Sequence, residues 1–237
     1  PLNPLRRRWA VHLRNHRKII VVDGAIGFTG GMNVGDEYSG SRRKKKVGPW
    51  RDTHLALRGP AVRDLAQTFA EDWDFATGER VLPPKRPPCI ESGTSLIAVI
   101  PSGPDQDTLN ANGLTYFAGI AGARARCWLT SPYFIPDEPT LRAMQSAALR
   151  GVDVRVLVPA RSDVLLVPPA ARSYYPALVR AGVRVFEYRP AVLHAKTMVV
   201  DGSWAMVGSA NLDMRSFRLN FEIGALVFDA QFAKRLE

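Results

Sequence analysis

Residues 16–33 read HRKIIVVDGAIGFTGGMN, and residues 194–211 read HAKTMVVDGSWAMVGSAN. Aligned without a gap at an offset of 178 residues, the two segments are identical at 8 of 18 positions. One repeat that occurs twice in a chain of 237 residues indicates two lobes related by pseudo-twofold duplication. A solenoid would need several shorter units in tandem.

The remaining sequence indicates an α/β fold. Residues 60–76 show apolar positions at helical spacing behind a proline, and four prolines and a glycine in residues 81–93 predict a linker. After the linker, strand-like and helix-like segments alternate, which indicates a mixed sheet flanked by helices. The predicted strands are 95–100, 125–134, 152–159 and 183–188, and the predicted helices are 107–123, 138–150 and 170–181. We therefore predict a first lobe at residues 1–80, a linker at 81–93 and a second lobe at 94–237.

The two copies of the repeat are preceded by unequal lengths of chain. About a hundred residues, from Gly93 to Leu193, lead to the second copy, whereas fifteen lead to the first. We therefore expect the first lobe to be incomplete and the chain to be an N-terminally truncated part of a longer protein. No apolar run approaches the ~20 residues that a membrane-spanning helix needs. We expect any membrane anchor to lie outside this chain or to be peripheral.

Within each copy, the pattern predicts a strand, a turn and a returning strand. The β-branched residues after each His-x-Lys favour a strand, so His16 and Lys18 are expected on one face, and likewise His194 and Lys196. The Asp-Gly pairs that follow are a strong hairpin signal, and we interpret Asp23 and Asp201 as structural residues of the turns. The return strands should bring Asn33 and Asn211 to the level of the histidines. The small residues Gly30, Gly31, Gly208 and Ser209 allow a ligand close to the backbone.

These residue types suit displacement at the phosphorus of a phosphodiester. A neutral imidazole can attack phosphorus to form a phosphohistidine, and a second, protonated imidazole can donate to the departing alkoxide. Lysine ammonium groups and asparagine amides can bind the non-bridging oxygens. The predicted catalytic residues are therefore His16, Lys18, Asn33, His194, Lys196 and Asn211. One copy supplies one histidine, so the reaction requires both.

Other candidate residues lie outside the two copies. Asp52 and Glu222 follow them and could each orient a catalytic imidazole through its Nδ1, or could be ordinary surface carboxylates. His12 and His54 are interpreted as structural or surface residues, and Cys89 and Cys127 as thiols outside any disulfide framework. No metal and no cofactor are expected, because a lysine beside each histidine disfavours a dication and no carboxylate cluster adjoins either copy.

The net charge of +10 predicts attraction to an anionic partner, which charge alone does not identify. The run RRKKK at residues 42–46 is either a solvated loop or a contact with anionic lipid headgroups. A basic stretch interleaved with aromatic residues, which would provide a stacking platform for bases, is not found, and this argues against nucleic acid.

The double signature H-x-K-x4-D-x6-G-[GS]-x-N resembles the phospholipase D superfamily. The stretches 15–38, 50–62, 131–138, 148–159 and 193–222 are similar to the bacterial cardiolipin synthases within it. The resemblance implies two phospholipase D-like lobes, a phosphohistidine intermediate, catalytic roles for the six residues named above, and supporting roles for Asp52 and Glu222. It further implies transfer of a phosphatidyl group between two phosphatidylglycerol molecules at a bacterial inner membrane.

Two alternative functions are considered. The first is a phospholipase D-type hydrolase of phospholipid or nucleic-acid phosphodiesters, and the second is a non-catalytic lobe pair that binds anionic lipid. Two intact copies argue against the second, since binding alone does not require both histidines. The near-symmetry of the copies leaves the histidine roles exchangeable, and we favour His16 as the nucleophile and His194 as the acid and base.

Overall fold

A computed structural model describes residues 13–39, 49–83, 93–104 and 110–237. Most of the predicted linker, the basic run at 42–46, His12 and Cys89 lie outside these residues. The described strands are, in chain order, β1 Arg14–Asn15, β2 Ile19–Val22, β3 Ile26–Gly30, β4 His54–Arg58, β5 Leu96–Ser102, β6 Arg126–Thr130, β7 Phe134–Ile135, β8 Asp153–Pro159, β9 Arg184–Tyr188, β10 Thr197–Val200, β11 Trp204–Gly208, β12 Leu212–Asp213 and β13 Asn220–Phe228. The helices are α1 Ala61–Thr77, α2 Ala111–Gly122, α3 Glu138–Leu149, α4 Val167–Arg180, α5 Met214–Arg218 and α6 Ala230–Leu236.

The largest sheet has eight strands in the order β1-β13-β11-β10-β6-β8-β9, with β5 also paired to β13. Its strands β6, β8 and β9 pair in parallel, and β10 and β11 are antiparallel to both of their neighbours. Strand β13 is antiparallel to β11 and β5 and parallel to β1. Helices α2, α3 and α4 supply residues to the core cluster that includes Met198 and Val200. The intervening residue, Val199, packs with α6 instead, so α6 lies on the opposite face. The prediction of an α/β fold with a mixed sheet flanked by helices is confirmed.

Strands β2 and β3 of the first copy form a separate three-stranded sheet with β4, and α1 covers this sheet. Leu55, Leu57 and Leu65 pack into one apolar cluster with Val207 and Ile223 from the large sheet. The short strand β1, which precedes the first copy, pairs with β13 and is therefore part of the large sheet. The first lobe therefore shares a core with the second, while the predicted domain boundaries remain a prediction.

The two hairpins differ in how completely they are covered. Strand β10 pairs with β11 on one side and with β6 on the other, whereas within the described ranges β2 pairs with β3 alone. Ile20 and Val22 are 50% and 44% exposed, whereas Met198 and Val200, at the equivalent positions, are 0% and 3% exposed. The described part of the first lobe thus lacks a counterpart of β6 and of the helix beneath it.

Two details of the sequence prediction are wrong. The single strand predicted at 125–134 is divided, because residues 131–133 separate β6 from β7, which pairs with β12 in another sheet. Pro132 has no N–H to donate to a ladder, which favours an interruption at this point. The His-x-Lys segments also precede their strands, which begin only at Ile19 and Thr197.

Candidate active site

The two histidines obtain their carboxylates from opposite halves of the chain. His16 Nδ1 lies 3.0 Å from Glu222 Oε2, and His194 Nδ1 lies 2.7 Å from Asp52 Oδ2. Each imidazole is therefore paired with an acidic residue that follows the other copy of the repeat. Sequence reasoning named both carboxylates but did not assign either of them to a particular histidine.

The backbone explains this exchange. The His16 N–H donates to Phe221 O at 2.8 Å, and the His194 N–H donates to Arg51 O, also at 2.8 Å. Each histidine is thereby hydrogen-bonded to the residue immediately before the opposite carboxylate. The same arrangement occurs twice, so the two halves meet through equivalent backbone contacts about the site.

Each carboxylate is held by further donors. Glu222 is fully buried, and besides His16 it accepts hydrogen bonds from Ser209 Oγ and from Asn220 Nδ2. A carboxylate that accepts from an imidazole Nδ1–H fixes the tautomer in which the Nε2 lone pair is free. The arrangement therefore prepares Nε2 of each histidine to meet a substrate.

The equivalent support of Asp52 uses different residues. Its carboxylate accepts from the Thr53 N–H at 2.7 Å and from the Tyr38 hydroxyl at 3.1 Å. Gly31, the counterpart of Ser209, leaves room for it, since a Cβ there would lie 2.2 Å from Asp52 Oδ1. Gly31 thus leaves space for the Asp52 carboxylate, whereas Ser209 donates a hydrogen bond to the Glu222 carboxylate.

Replacing Gly31 with alanine is expected to displace the Asp52 carboxylate from His194 and to lower turnover by about a hundredfold, because small displacements of a catalytic group are costly. The measurement is steady-state turnover by the purified variant. Gly122→Ala is the matched control, since its added Cβ meets no atom within 4 Å. Equal activity of the two variants would contradict the packing role of Gly31.

Both lysines are bound to their neighbouring histidines and removed from solvent. Lys18 Nζ donates to the His16 carbonyl at 2.7 Å, and Lys196 Nζ donates to the His194 carbonyl. Burial lowers the pKa of Lys18 to about 8 and that of Lys196 to about 7. An ammonium group has three donors, and a desolvated one gains most from an anion placed beside it. An anion placed beside the two lysines would therefore favour their charged forms.

Residues of the two copies lie close enough for their charges to interact. Burial lowers the pKa of His194, and the charges of Lys196 and Lys18 lower it further, while the hydrogen bond to Asp52 raises it. Lys18 belongs to the first copy and His194 to the second. Lys18 likewise lowers the pKa of Lys196. Groups that affect one another in this way can act on a single phosphate.

The two asparagines differ in burial. Asn33 is exposed, whereas Asn211 is 5% exposed and its Nδ2 lies 3.3 Å from Ser216 Oγ. The Asn211 Oδ1 is buried without a partner. Exchanging the two amide atoms lets the Ser216 hydroxyl donate to Oδ1 and leaves Nδ2 as a free donor. In that orientation Oδ1 has a partner, and Nδ2 can donate to a phosphate oxygen.

Sequence reasoning missed two aromatic residues beside His194. The Tyr38 hydroxyl lies 3.0 Å from His194 Nδ1, and the Trp50 ring centroid lies 5.1 Å from that of the imidazole. Burial raises the pKa of Tyr38, so its hydroxyl remains a donor. A signal did exist, because Tyr38 and Ser216 both follow their motif asparagine by five residues. Trp50 has no such signal beyond its closeness to Asp52 in sequence.

The motif aspartates lie in the hairpin turns. Asp23 and Asp201 have φ values of 52° and 54°, and the glycine after each is also left-handed, the geometry of a type I′ turn. The Asp201 carboxylate additionally accepts hydrogen bonds from the N–H groups of Arg124, Ala125 and Arg126. Within the described ranges, no three metal-binding side chains come close enough together to hold an ion.

Comparison with known proteins shows the family to which this chain belongs. A family model described as "Cardiolipin synthase, PLD-like domain" matches residues 116–237, where PLD denotes phospholipase D. The chain belongs to the cardiolipin synthase family of phospholipase D-like domains. The matched residues contain the second copy of the repeat together with Glu222.

Relatives in this family extend the match to the first copy. A cardiolipin synthase of Geobacillus kaustophilus is 50% identical over 234 residues, which cover 96% of this chain and 46% of that protein. Cardiolipin synthase A of Pseudomonas aeruginosa is 50% identical over 231 residues, covering 97% of this chain and 46% of that protein. The chain thus spans about half the length of these cardiolipin synthases.

A solved structure supports the fold of the family. The phosphatidylserine synthase of Haemophilus influenzae superposes with a TM-score of 0.59 at 15% identity, over 95% of this chain and 60% of that one. At this identity the likeness concerns the fold alone. In the part of the chain that the structure describes, no helix has both the length and the apolar character needed to cross a membrane.

Proposed function

We propose that this chain carries the active site of a cardiolipin synthase, which transfers a phosphatidyl group from one phosphatidylglycerol to another and releases glycerol. The observation that carries the proposal is the pair of imidazoles, each held at Nδ1 by a carboxylate, beside two desolvated lysines. The family relationship supports this reaction, and the site residues supply the chemistry. We further propose that the protein acts at the bacterial inner membrane.

In the first step, Nε2 of one neutral histidine attacks phosphorus, and the bond from phosphorus to the glycerol oxygen breaks. The second histidine, protonated, gives its proton to that oxygen, so glycerol leaves as a neutral alcohol. Lys18, Lys196 and the amide of Asn211 bind the non-bridging oxygens, whose charge is held in a largely buried site. Asn33 is proposed to assist from the exposed side of the first copy.

In the second step, the now neutral second histidine accepts a proton from a hydroxyl of another phosphatidylglycerol. The resulting oxygen attacks the phosphohistidine, cardiolipin leaves, and both histidines return to their initial states. We retain His16 as the nucleophile and His194 as the acid and base. A lowered pKa of His194 favours the neutral form that must accept this proton, and it equally suits a nucleophile. Mapping the phosphorylated histidine therefore decides the assignment.

The decisive experiment incubates the purified protein with phosphatidylglycerol that carries one label in its acyl chains and another in its glycerol headgroup, and separates the products. Cardiolipin with stoichiometric free glycerol is the expected result. Phosphatidic acid as the main product, without cardiolipin, would replace the synthase by a hydrolase. Partial exposure of the His16 side chain, at 28%, gives water a route to the site and makes this comparison necessary.

Binding of a phosphodiester is expected to weaken as the pH rises through 7 to 8. In the free site Lys196 and Lys18 lose their charge over this range, because their pKa values are lowered to about 7 and about 8. A bound anion raises both pKa values, so binding at pH 8 should take up protons, whereas binding at pH 6 should take up almost none. Calorimetric titration with glycerophosphoglycerol in buffers of different ionisation enthalpy measures this uptake. Equal proton uptake at both pH values would contradict the lysine assignment.

A further inference from the structure

Six exposed apolar side chains lie within three residues of a motif asparagine or of Asp163, and we call them the apolar rim. They are Met32, Val34, Val164, Leu165, Leu166 and Met214. Val34 is 100% exposed, Leu165 is 86% exposed and Leu166 is 75% exposed. Single exposed apolar residues are common, but a group around one site marks a contact surface.

The segment Val164–Leu166 is placed at the site by its neighbour Asp163. This residue follows the carboxyl end of β8, and its carboxylate accepts a hydrogen bond from the Tyr133 hydroxyl at 2.9 Å. Burial lowers the pKa of Lys196, and the charge of Asp163 is one of those that oppose this shift. The loop therefore begins within electrostatic reach of the buried ammonium group, and its apolar residues follow directly.

The other members of the rim adjoin the motif asparagines. Met32 and Val34 flank Asn33, and Met214 opens α5 two residues after Leu212, which follows Asn211. Leu212 N–H donates to Ser131 Oγ at the carboxyl end of β6, beside the end of β8. Exposed apolar side chains thus lie next to both motif asparagines and in the loop after β8.

Basic residues accompany the rim. Arg161 lies at the start of the loop and is exposed, and Arg218 is exposed on α5 beside Met214. The chain carries a net charge of +10. Exposed apolar side chains next to arginine are the composition of surfaces that enter the headgroup region of an anionic bilayer.

We propose that the apolar rim docks onto the surface of an anionic phospholipid bilayer and seats the active site over its lipid substrate. The phosphodiester then binds to Lys18 and Lys196 while the acyl chains stay in the bilayer. This inference rests on the proposed function in taking phospholipid as the substrate. It assigns the docking contact to Val164–Leu166 and the other members of the rim. This contact is separate from the lipid contact considered for the basic run at 42–46.

The first test places an environment-sensitive fluorophore on a cysteine at position 165, in the full chain with Cys89 replaced by serine. Cys127 is buried and remains unlabelled. Vesicles of phosphatidylglycerol should shift the emission to the blue, and brominated acyl chains should quench it. The matched control is Leu149→Cys, because Leu149 is 75% exposed at the end of α3 that precedes β8. That position lies about 20 Å from the rim, at the other end of a seven-residue strand.

Quenching at position 165 but not at position 149 supports the proposal. Quenching at both positions or at neither overturns it. Emission at position 165 that is already blue without vesicles and unaffected by brominated lipid overturns it as well, since a protein segment would then cover the loop.

The second test separates docking from chemistry. The double variant Leu165→Ser/Leu166→Ser should lose at least about tenfold of its transfer rate on vesicles, because burying leucine side chains drives interfacial binding. It should keep its rate on short-chain phosphatidylglycerol below the micelle concentration. Loss on both substrates, or on neither, overturns the docking role. A protein that inserts position 165 but forms no cardiolipin would refute the proposed function and leave docking intact.

Discussion

Alanine in place of either His16 or His194 is expected to lower cardiolipin formation by at least about a thousandfold, because each removes a group that forms or breaks a bond to the reacting oxygen or phosphorus. Each imidazole is held in place by a carboxylate whose side chain is buried. The measurement is the initial rate with labelled phosphatidylglycerol, with thermal unfolding of each variant to establish that it folds.

The double variant should be about as inactive as either single variant, since residues that act as a unit have non-additive effects. Acid-stable and acid-labile phosphate can be separated after rapid quenching with phosphatidyl-labelled substrate. We expect acid-labile phosphate on one histidine of the native protein and its absence when that histidine is replaced. Retention of the full rate by either single variant would refute the two-histidine mechanism.

Much of the fold could be predicted because its signals are local. Helix α3 is found at Glu138–Leu149 against a prediction of 138–150, and its start has an Asp137 cap that accepts from the Thr140 N–H. The hairpin turns follow from Asp-Gly pairs, whose left-handed conformations few other residues tolerate. These features depend on neighbours in sequence, which a single chain displays directly.

The parts that could not be predicted depend on contacts between distant segments. The pairing of His16 with Glu222 spans 206 residues, and no local pattern distinguishes it from a pairing with Asp52. The joining of β1 to the large sheet is equally non-local. The role of Tyr38 required knowing that the first copy lies against His194, which only the packed structure shows.

Exchanging Asp52 for asparagine or Glu222 for glutamine is expected to lower turnover by about a hundredfold or more, since an amide no longer holds the imidazole in the required tautomer. The crossed pairing also predicts which histidine each substitution affects. Asp52→Asn should change the tautomer of His194 and leave that of His16, while Glu222→Gln should do the reverse. Nitrogen-15 chemical shifts of the ring nitrogens distinguish these states for each histidine.

Asp23→Asn is the matched control for both variants, because Asp23 makes the turn of the first copy and asparagine accepts its left-handed conformation. This variant should leave both tautomers and the rate unchanged. A carboxylate with only a structural role would alter both histidines together or neither of them. A change at His16 on replacing Asp52 would mean that each carboxylate serves the histidine of its own copy, contrary to the crossed contacts.

The crossed arrangement has a further consequence, since neither half of the chain then contains a complete histidine and carboxylate pair. Catalysis would depend on the packing that joins Leu57 of β4 and Leu65 of α1 to Val207 of β11 and Ile223 of β13.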